Sequence, residues 1–270
     1  MSKNTNRIIL PVVLFLVILG AYLVGEKMGG SAPAPASPDT AGNAQEQGGE
    51  DIPEDTGSQQ SQGGGSEDQQ PVVIPLAKTI EDVPFTSQSP FGNWADPLEQ
   101  HGCEEASLIM ARHWITGKEL TKEEALQELL DMSKFEEDHY GKEIYDLSIA
   151  DTLKLWREYY GYKKSFVRYD IKAEDIKREI AAGNLVITPM DGTKLGNPYY
   201  TQPGPERHEL VITGYDDASG KFITNDPGTR FGKDYDYGYG VFMGAIREYE
   251  TGFDVPISTV KKSMLVIEKE

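Results

Sequence analysis

The chain of 270 residues has one cysteine, four histidines, and only 26 Lys and Arg against 44 Asp and Glu. Each shortage excludes something. A lone cysteine cannot close an intramolecular disulfide, so packing must hold the fold, and the thiol is either an inert small apolar group or a reactive centre. One cysteine and four scattered histidines give no zinc-ligand spacing, and no motif asks for a cofactor. A formal net charge of −18 and a pI near 4.6 argue against nucleic acid, whose binding rests on Lys and Arg displacing counterions from phosphates. There is no ATP-binding P-loop and no internal repeat.

Long apolar runs are also scarce, with one exception. From Ile8 to Gly25 no charge interrupts IILPVVLFLVILGAYLVG, a length that nearly spans a hydrocarbon core as a helix. Lys3 and Arg7 precede it, so the positive-inside bias predicts a cytoplasmic N-terminus, a single-pass signal anchor over residues 1–27 and an exported remainder at the cell surface. A cleaved signal peptide is the alternative, since Ser31-Ala32-Pro33-Ala34 supplies small residues and cleavage makes the protein secreted. Residues 28–70 carry acids among Gly, Ser, Pro and Gln and no Lys or Arg. Such a composition buries too little apolar surface to offset chain entropy, which predicts a disordered tether. Residues 71–270 are left as the folded domain.

Within that domain, Val72 to Pro75 and Val83 to Phe85 read as short strands, the latter at an edge because of Pro84. Cys103 to Ile115 places Ala106, Ile109, Met110, His113 and Trp114 on one helical face and stops at Gly117. Thr121 to Glu124 is a capping box for a helix running to about Met132. A third helix starts at Asp146 or Ser148, and a fourth covers residues 173–182. Strands follow at Ser165–Tyr169, Leu185–Pro189, Glu209–Tyr215, Phe222–Thr224 and Met264–Ile267, with one more helix over residues 241–249. Helices first and strands afterwards predict an α+β fold.

Cysteine attacks as thiolate, and a helix N-terminus favours that charge, so Cys103 after Gly102 is placed where the effect is largest. Acids at Glu104 and Glu105 support the helix dipole but oppose thiolate formation beside them. The thiol needs a base held in one tautomer by a third group. His101 is too close in sequence, His113 lies on the apolar helix face, and His139 falls in an acidic loop. His208 opens a strand whose alternation leaves one face buried, and the next strand ends at Asn225-Asp226-Pro227-Gly228. If the two pair antiparallel, the start of one lies beside the end of the other. That makes His208 and Asp226 partners, unless Asp226 serves only the turn.

Four stretches now form a recognisable set: Val83-Pro-Phe-Thr-Ser-Gln88, Gly102-Cys-Glu-Glu-Ala-Ser-Leu-Ile-Met110, His208-Glu-Leu-Val-Ile-Thr-Gly-Tyr215 and Ile223-Thr-Asn-Asp-Pro-Gly228. In order and spacing the chain resembles the papain-like cysteine peptidases related to those that process double-glycine bacteriocin leaders. The resemblance implies a papain-like fold, with N-terminal helices packed on an antiparallel sheet. It makes Cys103 the nucleophile, His208 the base and acid, Asp226 the group orienting the imidazole, and Gln88 the side-chain donor of the oxyanion hole. Gln100 is the alternative to Gln88, and Asn225 the alternative to Asp226. Residues Phe91 to Leu98 then read as a loop insertion.

These readings together predict an exported, membrane-tethered cysteine peptidase or amide hydrolase working through a thioester. Its partners are a peptide or cell-wall peptide substrate and, through the N-terminal helix, the membrane, with no nucleic acid and no ATP. The rivals are a surface peptide-binding or adhesion module that keeps the fold without turnover, and an acyl transferase. Two loops stand near the chemistry: residues 191–206, ahead of His208, and the aromatic, Gly-rich residues 231–240. The second reads as surface loop, with Asp234 and Asp236 offering a weak calcium site as the alternative.

Overall fold

The computed structural model describes residues 73–141, 146–252, 257 and 261–269. The apolar run at Ile8 to Gly25 and the acidic residues 28–70, expected as anchor and tether, lie outside them. Among the described residues no helix is long and apolar enough to cross a membrane.

The chain enters with strand β1 (Ala77–Thr79) and continues through helices α1 (Pro97–His101), α2 (Cys103–Thr116), α3 (Lys122–Tyr140) and α4 (Ile149–Tyr160). Then come β2 (Ser165–Tyr169), α5 (Ala173–Ala182), β3 (Leu185–Met190), α6 (Gly192–Leu195), β4 (His208–Asp216), β5 (Lys221–Asn225), β6 (Tyr235–Gly238), α7 (Tyr239–Ala245) and β7 (Ser263–Ile267). The strands form one antiparallel sheet in the order β2-β7-β3-β4-β5-β6, with β1 added along β4. This is the α+β arrangement that the sequence predicts.

Helix α2 is central. It packs on β4, α3 and α4, and Ala106, Leu108, Ile109, Met110 and Ala111 are all fully buried, so it is covered well beyond the single apolar face expected. Its cap at Gly117 has φ 63°, and two backbone groups of the last turn bond to the Gly117 N–H. The Thr121–Glu124 capping box is present, but α3 runs on to Tyr140 rather than ending near Met132, because no residue breaks it before Gly141. Ser148, not Asp146, caps α4, its hydroxyl accepting the Asp151 N–H. Asp146 instead holds a left-handed φ of 56°.

Four further expectations are corrected. Val83 to Phe85 is not a strand; its carbonyls at Val83 and Pro84 are held by the Asn225 side chain, at 3.4 and 3.2 Å. Residues 91–98 are not all loop, since Asp96 accepts the Leu98 N–H and Pro97 begins α1, a cap and first-turn proline present in the sequence. Residues 235–238 form β6 against β5, because Tyr235 and Tyr237 alternate with charged or small neighbours. His139 likewise sits in α3 and not in a loop.

Strand β4 is buried from His208 to Tyr215, both faces included, where alternation suggested one. Helices α2 and α5 and strand β1 all pack against it. Gly214 permits the approach of β1: a Cβ there would stand 2.8 Å from the Lys78 carbonyl oxygen. A bulge falls at the same point, between Ile212 and Gly214.

Candidate active site

Strands β4 and β5 pair so that Val211 faces Asn225, which brings the start of one to the end of the other. His208 Nε2 lies 2.8 Å from Asp226 Oδ1, and both side chains are buried. Asp226 has more partners than a turn residue needs. Oδ1 also accepts the Gly228 N–H at 2.9 Å, while Oδ2 accepts Tyr200 at 2.5 Å, Tyr237 at 2.6 Å and Asn197 at 3.3 Å. Burial by itself would raise this carboxyl; the His208 charge and the donated hydrogen bonds outweigh it and hold Asp226 below the ordinary aspartate value. Asn225 is not the partner of His208. Its amide nitrogen bonds the Val83 and Pro84 carbonyls and its oxygen accepts the Asp234 N–H.

Cys103 is the first residue of α2, after Gly102. It shares a cavity of about 880 Å³ with Gln88, Gln100 and His208. Gln88 is buried, its backbone N–H donating to the Pro227 carbonyl at 3.0 Å and its Nε2 to the Gln100 carbonyl at 2.7 Å. Fifteen residues of separation are thus closed by α1, which folds the chain back over the cysteine. The cavity is also lined by residues 199–207, ahead of β4, and by Thr229 to Phe231. Trp94, Tyr199 and Phe231 are exposed aromatics on its lining, with Tyr199 and Phe231 rings 4.6 Å apart.

The electrostatics around the sulfur oppose the thiolate, as the glutamate after the cysteine predicts and against the pull of the helix N-terminus. Burial pushes the Cys103 thiol well above its ordinary value, and Glu104, Asp146 and Glu209 add to the rise. Desolvation and three acids outweigh the helix N-terminus. Glu104 and Glu105 are not a solvated first turn: both are buried, Glu104 is pushed up to about 7 by burial and then Asp146, and Glu105 is raised by burial and Glu136. The thiol's hydrogen bond runs to Glu104 Oε2, at 3.0 Å.

Two of the remaining histidines are engaged away from the cavity, and the third lines it. His113 is buried between the Glu119 carbonyl and Glu128, each at 2.7 Å. His139 bonds the Phe135 carbonyl at 2.9 Å. His101 lines the cavity and stands 3.7 Å from Asp146. Asp236 pairs with Lys221 at 3.2 Å, and among the described residues no group of three or more His, Cys, Asp or Glu is arranged to hold a metal. Sequence reasoning missed Asn197, Tyr200, Tyr237 and Tyr249. The alternation of Tyr235 and Tyr237 was the one available signal, because the others meet Asp226 or Glu104 only through tertiary folding.

A helix-borne thiol and a buried His–Asp pair at one cavity, on helices followed by an antiparallel sheet, define the papain-like fold of cysteine peptidases. The chain belongs to the Peptidase_C39 like family, whose model matches residues 80–252. Among solved structures it is similar to a C39-like peptidase from Bacillus anthracis, at 16% identity and TM-score 0.45, over 72% of this chain and 98% of that one. It is also similar to xylellain, a cysteine protease from Xylella fastidiosa, at 14% identity and TM-score 0.30, over 74% and 88% of the two chains. No curated protein matches it.

Proposed function

We propose that the protein is a cysteine peptidase or amide hydrolase of the cell surface, tethered through its N-terminal apolar segment and acting by a Cys103–His208–Asp226 triad. The observation that carries this reading is the buried 2.8 Å contact between His208 and Asp226 at the cavity that Cys103 lines. With Nε2–H donated to Asp226, the neutral imidazole keeps its lone pair on Nδ1, the nitrogen left for the thiol proton. Sulfur then bonds the substrate carbonyl carbon, and the carbonyl pair moves to oxygen. The Cys103 N–H and the Gln88 amide are the donors for that oxygen. Collapse breaks the C–N bond, the imidazolium gives its proton to the leaving amine, and water cleaves the thioester. The Ile8 to Gly25 run and the acidic residues 28–70 support the tether.

One observation favours a second reading, a peptide-binding module without turnover: the thiol is raised rather than lowered. Iodoacetamide labelling of the full chain at pH 6 separates the two. A peptidase should label at Cys103 faster when native than when unfolded in urea, with the excess lost in His208→Ala. A native thiol slower than the unfolded one contradicts the peptidase reading, and peptide affinity retained in Cys103→Ala would then support the binding module.

Gly228→Ala gives a second test. Its Cβ would stand 2.9 Å from His208 Cε1 and 3.0 Å from Tyr200 Cε1, inside ordinary contact distance of two packed rings. The imidazole must shift, and labelling should slow at least about tenfold, since misplacement by 1 Å can cost about 100-fold. A circular dichroism spectrum like that of the unmodified chain would show the fold retained, and an unchanged labelling rate would remove the constraint.

A further inference from the structure

Glu104 touches the reacting sulfur, yet the triad gives it no task. Its Oε2 is 3.0 Å from Cys103 Sγ, and its Oε1 accepts the Tyr249 hydroxyl at 2.8 Å. The same hydroxyl lies 3.4 Å from the His208 carbonyl oxygen. Cys103, Glu104 and Tyr249 are all buried. The titratable groups facing Glu104 come from each packed element: Cys103 and Glu105 on α2, Asp146 ahead of α4, Glu209 on β4 and Tyr249 beyond α7. Among the described residues no Lys or Arg pairs with Glu104. The basic groups around this set are imidazoles: His101 stands 3.7 Å from Asp146 and His208 lines the cavity with Cys103.

A buried carboxylate ringed by other acids and lacking a cation is costly, whereas a neutral carboxylic acid is not. Tyr249 donates to Oε1, and the ionised acid accepts the thiol proton on Oε2; with Glu104 neutral and its proton on Oε2, the 3.0 Å contact reverses and frees the thiol proton for His208. We propose that Glu104 works as a neutral acid whose Oε2–H donates to the Cys103 sulfur, and that its ionisation ends the competent state of the nucleophile as pH rises. This rests on the reading of Cys103 as nucleophile.

The proton balance is simple. The thiol proton moves to His208 Nδ1, the electron pair stays on sulfur, and Glu104 keeps its own proton while hydrogen-bonding that pair. The bond favours the thiolate against the burial that raises it. Once Glu104 is ionised, the same oxygen repels the thiolate. Glu104 is raised to about 7, so the device works below neutrality and fails above it.

The test is the pH profile of peptide hydrolysis and of Cys103 labelling, measured on the full chain. The unmodified protein should show a descending limb near pH 7. In Glu104→Gln the amide N–H donates at every pH, and the limb should move up by at least one pH unit. Tyr249→Phe removes a hydrogen bond that favours the ionised form and should move it in the same direction by less. Glu104→Ala, with no donor, should lower labelling at pH 6 at least tenfold. A limb that stays in place in both Glu104→Gln and Tyr249→Phe overturns the proposal and leaves the peptidase reading intact. Native labelling no faster than that of the unfolded chain at any pH overturns both.

Discussion

Asp226→Asn is expected to lower kcat/KM for amide hydrolysis by about 10⁴ while the fold survives. The carboxylate accepts from His208 and Gly228 on one oxygen and from Tyr200, Tyr237 and Asn197 on the other. An asparagine has one acceptor to offer these two groups of donors. Its oxygen is better placed toward the two phenols, which leaves the NH₂ toward His208 Nε2. The imidazole can then answer only as acceptor at Nε2, which moves its proton to Nδ1, the nitrogen that must take the thiol proton. The loss should therefore fall on kcat, with KM little changed, and the variant should keep its circular dichroism spectrum. A loss smaller than tenfold would falsify the role given to Asp226.

Stability should fall, not rise, between pH 5 and pH 7.5. Glu104, Glu105 and Glu209 all have folded-state values above the ordinary glutamate value, each chiefly through burial and then through neighbouring acids. A raised carboxyl binds more protons folded than unfolded between its unfolded value, about 4.3, and its folded one. In that window stability declines by about 1.4 kcal/mol per pH unit for each such group. For Glu104, raised to about 7, the total is on the order of 3 kcal/mol by pH 8. Asp226 acts with the opposite sign: its value is lowered, so its contribution is present above the ordinary aspartate value, about 3.9, and is lost as pH falls through its folded value. Maximum stability is expected near pH 5. Urea titrations across pH should show it, and Glu209→Gln should flatten the decline and raise stability at pH 7.5. A stability that climbs steadily from pH 5 to 7.5 would contradict the neutral state of this cluster.

Much of the architecture is legible in local sequence because local chemistry sets it. Gly117 and Gly183 end helices in the left-handed conformation, the Thr121–Glu124 box opens α3, and Ser165–Tyr169 and Ala173–Ala182 fall on the expected spans. His208 and Asp226 were predictable as neighbours because a short turn between antiparallel strands fixes their relation. Where the reading failed, the missing information was in contacts between distant segments. Val83 to Phe85 has strand composition, but Asn225 takes its carbonyls. Tyr235 to Gly238 looks like loop, but β5 offers it an edge.

The sequence by itself determined which thiol, imidazole and carboxylate are available, because there is one cysteine and because caps, turns and strand order are local properties. Only the tertiary structure decided their electrical states. Two glutamates after a cysteine look solvated at the start of a helix, yet α2 is packed centrally and both are buried. The charge a side chain carries depends on what surrounds it in space, and Asp146, Glu209 and Tyr249 reach the sulfur from parts of the chain far away in sequence.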